Sequence, residues 1–332
     1  MVAHTARVLR KIMERTKSNS DATNRKGGFK VQLLWLLCRS IAIMPYWVQY
    51  YVLMEFIYFV LRYLLRYRRR LIERQLSGSF PDKSQKEIET ICNRYYRTLA
   101  EMFINTMVLA GMSLEEQRRR LVVDENRTIE TADDDMRNVV VLTSHFGIWE
   151  YASLAQNYTT KYKYVVAYHK LRSQVWDDLY YRLRIHPDVI PVESNNYMRF
   201  YMTHNEGIDS KPLLLGLIAD QSAPAYKGCR WYDFMNRKTI FYEGGEALAL
   251  KYGLPVYYFE LNRVRRGYYR GHFELIYDGK EEVQRGEITA RYVARLEKAV
   301  CRQPEMWLWS HRRWKYTLDP ITGEAKYNHS GY

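Results

Sequence analysis

Hydrophobic positions divide the chain into three stretches with different periods. From Val31 to Leu65 Leu, Ile, Val, Phe, Trp and Tyr dominate, broken only by Arg39, Pro45, Gln49, Glu55 and Arg62. A spanning helix needs about 20 predominantly apolar residues. The best window, Ser40 to Leu61, contains Pro45, Gln49 and Glu55. Three forms fit: a spanning helix, one or two amphipathic helices lying in a lipid interface, or a pair of buried core helices. A secretory signal peptide is not expected, because the preceding basic region is long and no small-residue cleavage site comes after it.

From Ser84 to Ala110 apolar residues recur at helical spacing. Ser84 with Glu87 three residues on makes a capping box, Gly111 closes the helix, and a short helix begins at Ser113. After Asn138 short β-branched runs alternate with helical stretches. Strands are expected at Val139 to Thr143, Tyr164 to Ala167, Val189 to Val192, Leu213 to Ile218, Pro255 to Leu261 and His272 to Ile276. Helices are expected at Trp149 to Tyr158, Gln174 to Arg184, Tyr197 to His204, Gly244 to Tyr252 and Glu287 to Cys301. The alternation predicts an α/β fold with a mixed, partly parallel central sheet flanked by helices, preceded by an N-terminal helical membrane-associating region. The expected divisions are a basic tail over 1–30, the membrane-associating helices over 31–67, an acyltransferase-sized domain over 68–318 and a loose tail over 319–332.

Composition adds a partner class. The 332 residues carry a net charge of +14, in clusters from Arg7 to Lys30, from Arg62 to Arg74, and at Arg312, Arg313 and Lys315. An acidic partner is implied: anionic headgroups, a phosphorylated glycolipid, an acidic carrier protein or nucleic acid. Arg68, Arg69 and Arg70, directly after the apolar region, fit the positive-inside bias and place the rest of the chain in the cytoplasm. The 30 tyrosines suit a lipid interface. Cys38, Cys92, Cys229 and Cys301 are scattered and read as free thiols in a reducing compartment.

The chemistry concentrates in Val139-Val140-Val141-Leu142-Thr143-Ser144-His145-Phe146-Gly147-Ile148-Trp149-Glu150. A buried strand ends in a histidine, where open α/β sheets gather catalytic groups. Glu150 comes five positions later. Residues five apart on one continuous helix lie roughly 140° apart around the axis. For Glu150 to reach His145, the histidine must lie on a turn before the helix, with Gly147 supplying the turn. A carboxylate on one imidazole nitrogen fixes the tautomer and leaves the other to take a proton from a hydroxyl; the alternative is a structural histidine at a strand end. The Gly-x-Ser-x-Gly elbow is absent, which favours direct transfer without an acyl-enzyme. Nucleotide, zinc and dinucleotide motifs are also absent, so neither metal nor cofactor is expected.

These residues resemble the late acyltransferases of lipid A biosynthesis, the lauroyl and myristoyl transferases of Gram-negative inner membranes. Further segments agree in order: Ser79-Phe80-Pro81, Asp220-Gln221, Phe234-Met235-Asn236 before a Gly-Gly-Glu helix, and Trp307-Leu308-Trp309-Ser310-His311-Arg312-Arg313-Trp314-Lys315. The resemblance runs from about Leu33 to Lys315. It implies an acyl carrier protein thioester as donor, a hydroxyl of a phosphorylated lipid A precursor as acceptor, and His145 with Glu150 as the dyad. Where the family commonly has Tyr-Arg, this chain has Tyr168-His169, with Lys170 and Arg172 behind as substitute charges or a solvated loop. Asp220 and Gln221 position substrate or tie down a loop. Arg312 and Arg313 clamp phosphate or carrier protein, or form a hydrated patch, and Arg199 has the same two readings. His4, His186, His204, His272 and His329 show no partner pattern.

Two rivals remain on sequence. One is an acyltransferase acting on a lysophospholipid, glycerol phosphate or aminolipid. The other is a non-enzymatic membrane- or nucleic-acid-binding protein, although no recognisable nucleic-acid module is present and no nucleic-acid partner is expected.

Overall fold

The computed structural model describes residues 28–124, 129, 136–158, 160–184 and 188–328. Most of the expected basic tail over 1–30, with His4, His186 and His329, lies outside them.

The helical lead-in comprises α1 (Phe29–Ala42), a helix α2 (Val48–Leu64) whose two ends are wound in wider π turns, α3 (Arg69–Ser79), α4 (Gln85–Leu109) and α5 (Leu114–Arg120). The capping box on α4 is present: the Glu87 carboxylate accepts from the Ser84 backbone N–H at 2.9 Å. No single described helix is long and apolar enough to cross a membrane; α2 and α3 together pass by length and composition but are bent by 91°.

The polar residues that interrupt the apolar region at Gln49, Glu55 and Arg62 turn toward the protein. Gln49, 2% exposed, donates to the carbonyls of Ile41, Ala42 and Met44, which closes the end of α1 just before Pro45. Arg62 is buried, bonded to Asn93 at 2.8 Å and lying over the Tyr96 ring. Glu55 is paired with Arg266 at 2.9 Å and with Arg97 at 3.4 Å. Burying a charge is costly unless it is paired, and here the pairing leaves an outward face of Trp47, Tyr51, Val52, Phe56 and Phe59.

Seven strands form the central sheet in the order β1-β9-β8-β2-β5-β3-β4: β1 (Leu121–Val123), β2 (Val139–Thr143), β3 (Lys163–Tyr168), β4 (Val189–Glu193), β5 (Leu213–Ile218), β8 (Val256–Arg265) and β9 (Tyr268–Tyr277). The strands β4, β3, β5, β2 and β8 run parallel; β9 is antiparallel to β8, and β1 is parallel to β9. Every residue of β2 is buried, as expected of a parallel strand covered on both faces. The covering helices are α6 (Gln174–Arg184), α7 (Tyr197–His204), α8 (Gly244–Tyr252) and α9 (Glu287–Arg302), with a short hairpin of β6 (Tyr232–Phe234) and β7 (Arg237–Thr239) beside them. The chain leaves β2 toward β3 and β4, returns to place β5 between β3 and β2, then crosses to β8 on the other side of β2. That reversal makes a crevice at the strands' C-terminal ends, where ligands collect in open α/β sheets.

Three expectations need adjusting. Trp149–Tyr158 is helical but wound as a 3-10 helix, so residues three apart stack and the Ser153 hydroxyl closes on the Glu150 carbonyl at 2.6 Å. Strand β1, only three residues long, is too short to stand out as a β-branched run. The tail is not loose where it is described: β10 (Tyr316–Leu318) pairs with β11 (Ala325–Tyr327). Their turn is tied by Asp319, whose carboxylate accepts from the Ile321 and Thr322 backbone N–H groups.

Candidate active site

Two strand ends set the site. In the β2/β5 register Thr143 lies opposite Ile218. Two residues past each, His145 and Asp220 face one another across the crevice. The Asp220 carboxylate accepts from the His145 backbone N–H at 3.0 Å and meets the ring Nδ1 at 2.7 Å. The Trp307 indole donates to the same carboxylate at 2.8 Å. Asp220 is 2% exposed. Burial alone would raise its pKa, but the His145 charge and these hydrogen bonds outweigh burial and hold the carboxyl below its usual value.

A carboxylate only accepts, so Nδ1 of His145 carries the proton and Nε2 presents its lone pair. The Gln221 side-chain amide sits 3.1 Å from Nε2. One dipeptide, Asp220-Gln221, thus addresses both ring nitrogens. The ring also packs edge-on against Trp149, with centroids 4.8 Å apart.

His145 is held on a tight turn. Phe146 bridges to Trp307, the Gly147 N–H donates to the Met306 carbonyl at 2.7 Å, and Gly147 has φ +57°. A Cβ there would come within 2.5 Å of the Met306 side chain, so both backbone angle and space favour glycine. The turn anticipated at Gly147 is present, but its result differs from the expected dyad. The 3-10 helix carries Glu150 away from the imidazole to Arg184, at the end of α6, in a two-pronged pair of 2.9 and 2.6 Å. The Trp149 indole donates to the same carboxylate at 3.2 Å. Burial would lower the Arg184 pKa, but the Glu150 charge and hydrogen bonds outweigh it and raise it. Among the described residues, the carboxylate that orients His145 is that of Asp220.

The crevice opens into a cavity of about 950 Å³. Its walls include Trp149, Leu171, Met198, Leu217, Pro224 and Leu248, with His145, Gln221, His169, Glu150 and Arg184 among its polar points. Beneath Glu150 and Arg184 a smaller apolar pocket of about 90 Å³ reaches down to Val141, Tyr164, Phe259 and Phe273. An apolar cavity with few convergent polar groups suits a ligand with a long hydrocarbon part.

The other expected site residues divide. His169 lines the cavity; Lys170 and Arg172 are exposed on the loop after β3 and do not line it. Arg199 is exposed on α7, whereas its neighbour Met198 faces the cavity. Arg313 is not a surface clamp: it is buried, donates to the Ile240 carbonyl at 2.7 Å, lies over Phe241, and is pushed down to about 10 by burial. Arg312 holds the terminal hairpin through the Asn328 carbonyl and the Tyr327 ring. The Trp307 to Lys315 run is a strap, anchored by Gln75 to the Trp309 and His311 carbonyls and by Tyr95 to the Ser310 N–H.

Sequence reasoning did not find Arg184, Trp307 or His311. His311 accepts from the Ser222 N–H at 3.2 Å and so fixes the loop after Gln221. Burial first, then the Lys315 charge, push its pKa down to about 4, which keeps the ring neutral and able to accept. Trp307 and His311 lie within a recognised motif, but the motif carries no signal of which partner each would meet.

No curated protein is a significant match to the sequence. Residues 20–316 match the family described as bacterial lipid A biosynthesis acyltransferase. The chain, with its α/β sheet and a histidine at the end of β2, belongs to that family and is an acyltransferase of lipid A biosynthesis.

Proposed function

We propose that the protein moves a fatty-acyl group from an acyl carrier protein thioester to a hydroxyl of a phosphorylated lipid A precursor, at the cytoplasmic face of the inner membrane. The observation that carries the mechanism is the His145 ring, oriented at Nδ1 by a buried aspartate and open at Nε2 toward an apolar cavity.

The acceptor hydroxyl replaces the Gln221 amide at Nε2, and its proton passes to the ring as oxygen attacks the thioester carbonyl. Asp220 stabilises the imidazolium that forms. Collapse of the tetrahedral intermediate breaks the carbon–sulfur bond, and the imidazolium returns the proton to the leaving thiolate. Glu150 and Arg184 form the polar boundary between cavity and small pocket, where the acyl chain's hydrocarbon would pass. The membrane reading is supported by the outward aromatic face of α2 and by α1, which packs on the cavity-lining helix α6, with Arg182 lying 4.1 Å above the Trp35 ring.

The test is acyl transfer by purified protein in detergent, with carrier protein loaded with several chain lengths and a tetra-acylated lipid A precursor, read by mass spectrometry. The expected result is acyl gain by wild type, lost in His145→Ala. No gain with any donor, or gain unaffected by His145→Ala, would overturn the reading.

A further inference from the structure

The outward face of α2 continues onto a segment about 200 residues away in the chain. The turn joining β8 to β9 lies against it. The Tyr46 hydroxyl donates to the Arg266 carbonyl at 3.0 Å. Arg266 donates to the Tyr50 carbonyl at 3.0 Å, pairs with Glu55 at 2.9 Å and lies over the Tyr51 ring at 5.3 Å. At the tip Val264 is 67% exposed, about as much as Trp47 and Phe56 beside and on the helix at 61% and 64%. Next to it the Arg265 guanidinium rests 3.9 Å over the Tyr268 ring, and the residue is exposed.

We propose that the β8–β9 tip and the α2 face form one lipid-contact surface that docks on an anionic bilayer interface. Val264 enters the headgroup boundary beside the α2 aromatics, and Arg265 meets headgroup phosphate. The inference deepens the membrane reading of the proposed function and rests on it.

Two observations choose an anionic bilayer as the occupant. First, the one carboxylate between Val48 and Leu64, Glu55, is neutralised by Arg97 and Arg266, so no uncompensated negative charge on that helix opposes approach, while Arg265 beside it is exposed. Apolar and aromatic side chains rimmed by arginine are the composition of an interfacial anchor. Second, β8 runs parallel to β2, so the tip projects from the same end of the sheet that carries His145 and Asp220. Docking there turns the catalytic end of the sheet toward the lipid phase that holds a lipid acceptor, while the opposite end faces water.

Flotation of the full chain with equimolar phosphatidylcholine–phosphatidylglycerol vesicles, and with phosphatidylcholine alone, tests this. Each arginine at an anionic surface is worth roughly fivefold in partition. The double variant Val264→Glu/Arg265→Glu is expected to lose at least about tenfold in partition to the anionic vesicles with an unchanged melting midpoint. Ile321→Glu, at a position 92% exposed in the β10–β11 turn, is expected to bind as wild type does. Val264→Trp, which keeps the arginine, is expected to bind more tightly, and covers the case in which the double variant melts early. Unchanged binding by the double variant and by Val264→Trp would overturn the proposal. So would a wild-type dimer in sedimentation that the double variant lacks, because the surface would then serve a second copy. Wild type that binds neither vesicle would overturn the membrane reading itself, and this inference with it.

Discussion

Two buried carboxylates stand near the catalytic histidine, and their surroundings divide the work between them. Asp220 reaches His145 from the neighbouring strand, 75 positions away, and accepts from its ring, its backbone and Trp307. Glu150, five positions away, faces a permanent cation, Arg184. A carboxylate on an imidazole serves a proton that moves during the reaction. A carboxylate gripped by a guanidinium fork is locked, because the fork does not deprotonate. Closeness along the chain therefore assigned the wrong partner, and strand register supplied the right one.

The comparison breaks most severely at the histidine itself. His145→Ala should leave only background transfer, measured as acyl gain by mass spectrometry, while a melting curve stays within a few degrees of wild type. Asp220→Asn keeps the shape but reverses the tautomer preference, and kcat should fall on the order of 10³- to 10⁴-fold with KM little changed. If Glu150→Gln fell as far while Asp220→Asn stayed active, the roles of the two carboxylates would be reversed.

Glu150→Gln should instead act on stability. It leaves the Arg184 cation in a largely enclosed site without its partner, a change costing about 3 kcal/mol. Chemical denaturation should show that loss while kcat falls less than tenfold.

The next effect is one of pH. The folded His311 pKa, about 4, is depressed below its ordinary 6.5. Its contribution to stability is therefore complete above pH 6.5 and is lost as pH falls from there through about 4, when the charged ring stops accepting from Ser222. Asp220, held below 3.8, loses its own contribution only at lower pH. In His311→Gln, which accepts without titrating, the melting midpoint should fall less between pH 6.5 and 4 than in wild type. The smallest effect belongs to Arg199→Ala: on the exposed face of α7, it should stay within about 0.5 kcal/mol of wild-type stability and within twofold in kcat/KM.

Much of this fold was legible in the sequence because its signals are local. The capping box of Ser84 and Glu87, the five β-branched or aliphatic residues before Ser144, and the helix at Glu287 each follow from a few neighbouring side chains. The general base was legible for the same reason: a histidine two residues past a buried strand. Its partner was not, because Asp220 meets His145 only if β5 lies beside β2, and the alternation of strands and helices leaves strand order open. Arg313 shows the opposite error. Its charge suggested a surface clamp, whereas the two tryptophans on either side, Trp309 and Trp314, were marking a buried strap. The breaks in the apolar region could not be read either, since the partners of Glu55 and Arg62 come from α4 and the β8–β9 turn.

The β2–β5 register also bears on how such an enzyme diversifies. His145 and Asp220 are fixed by ladder hydrogen bonds, so the stretch between the two strands has no part in setting their distance. That stretch builds one wall of the cavity, through His169, Leu171, Tyr180 and Met198. Insertions, deletions and substitutions there can reshape what is accepted while the proton-transfer pair stays put, whereas a single-residue deletion between Ile218 and Asp220 would swing the carboxylate to the other side of the sheet. Specificity and chemistry are thus separately heritable within one crevice.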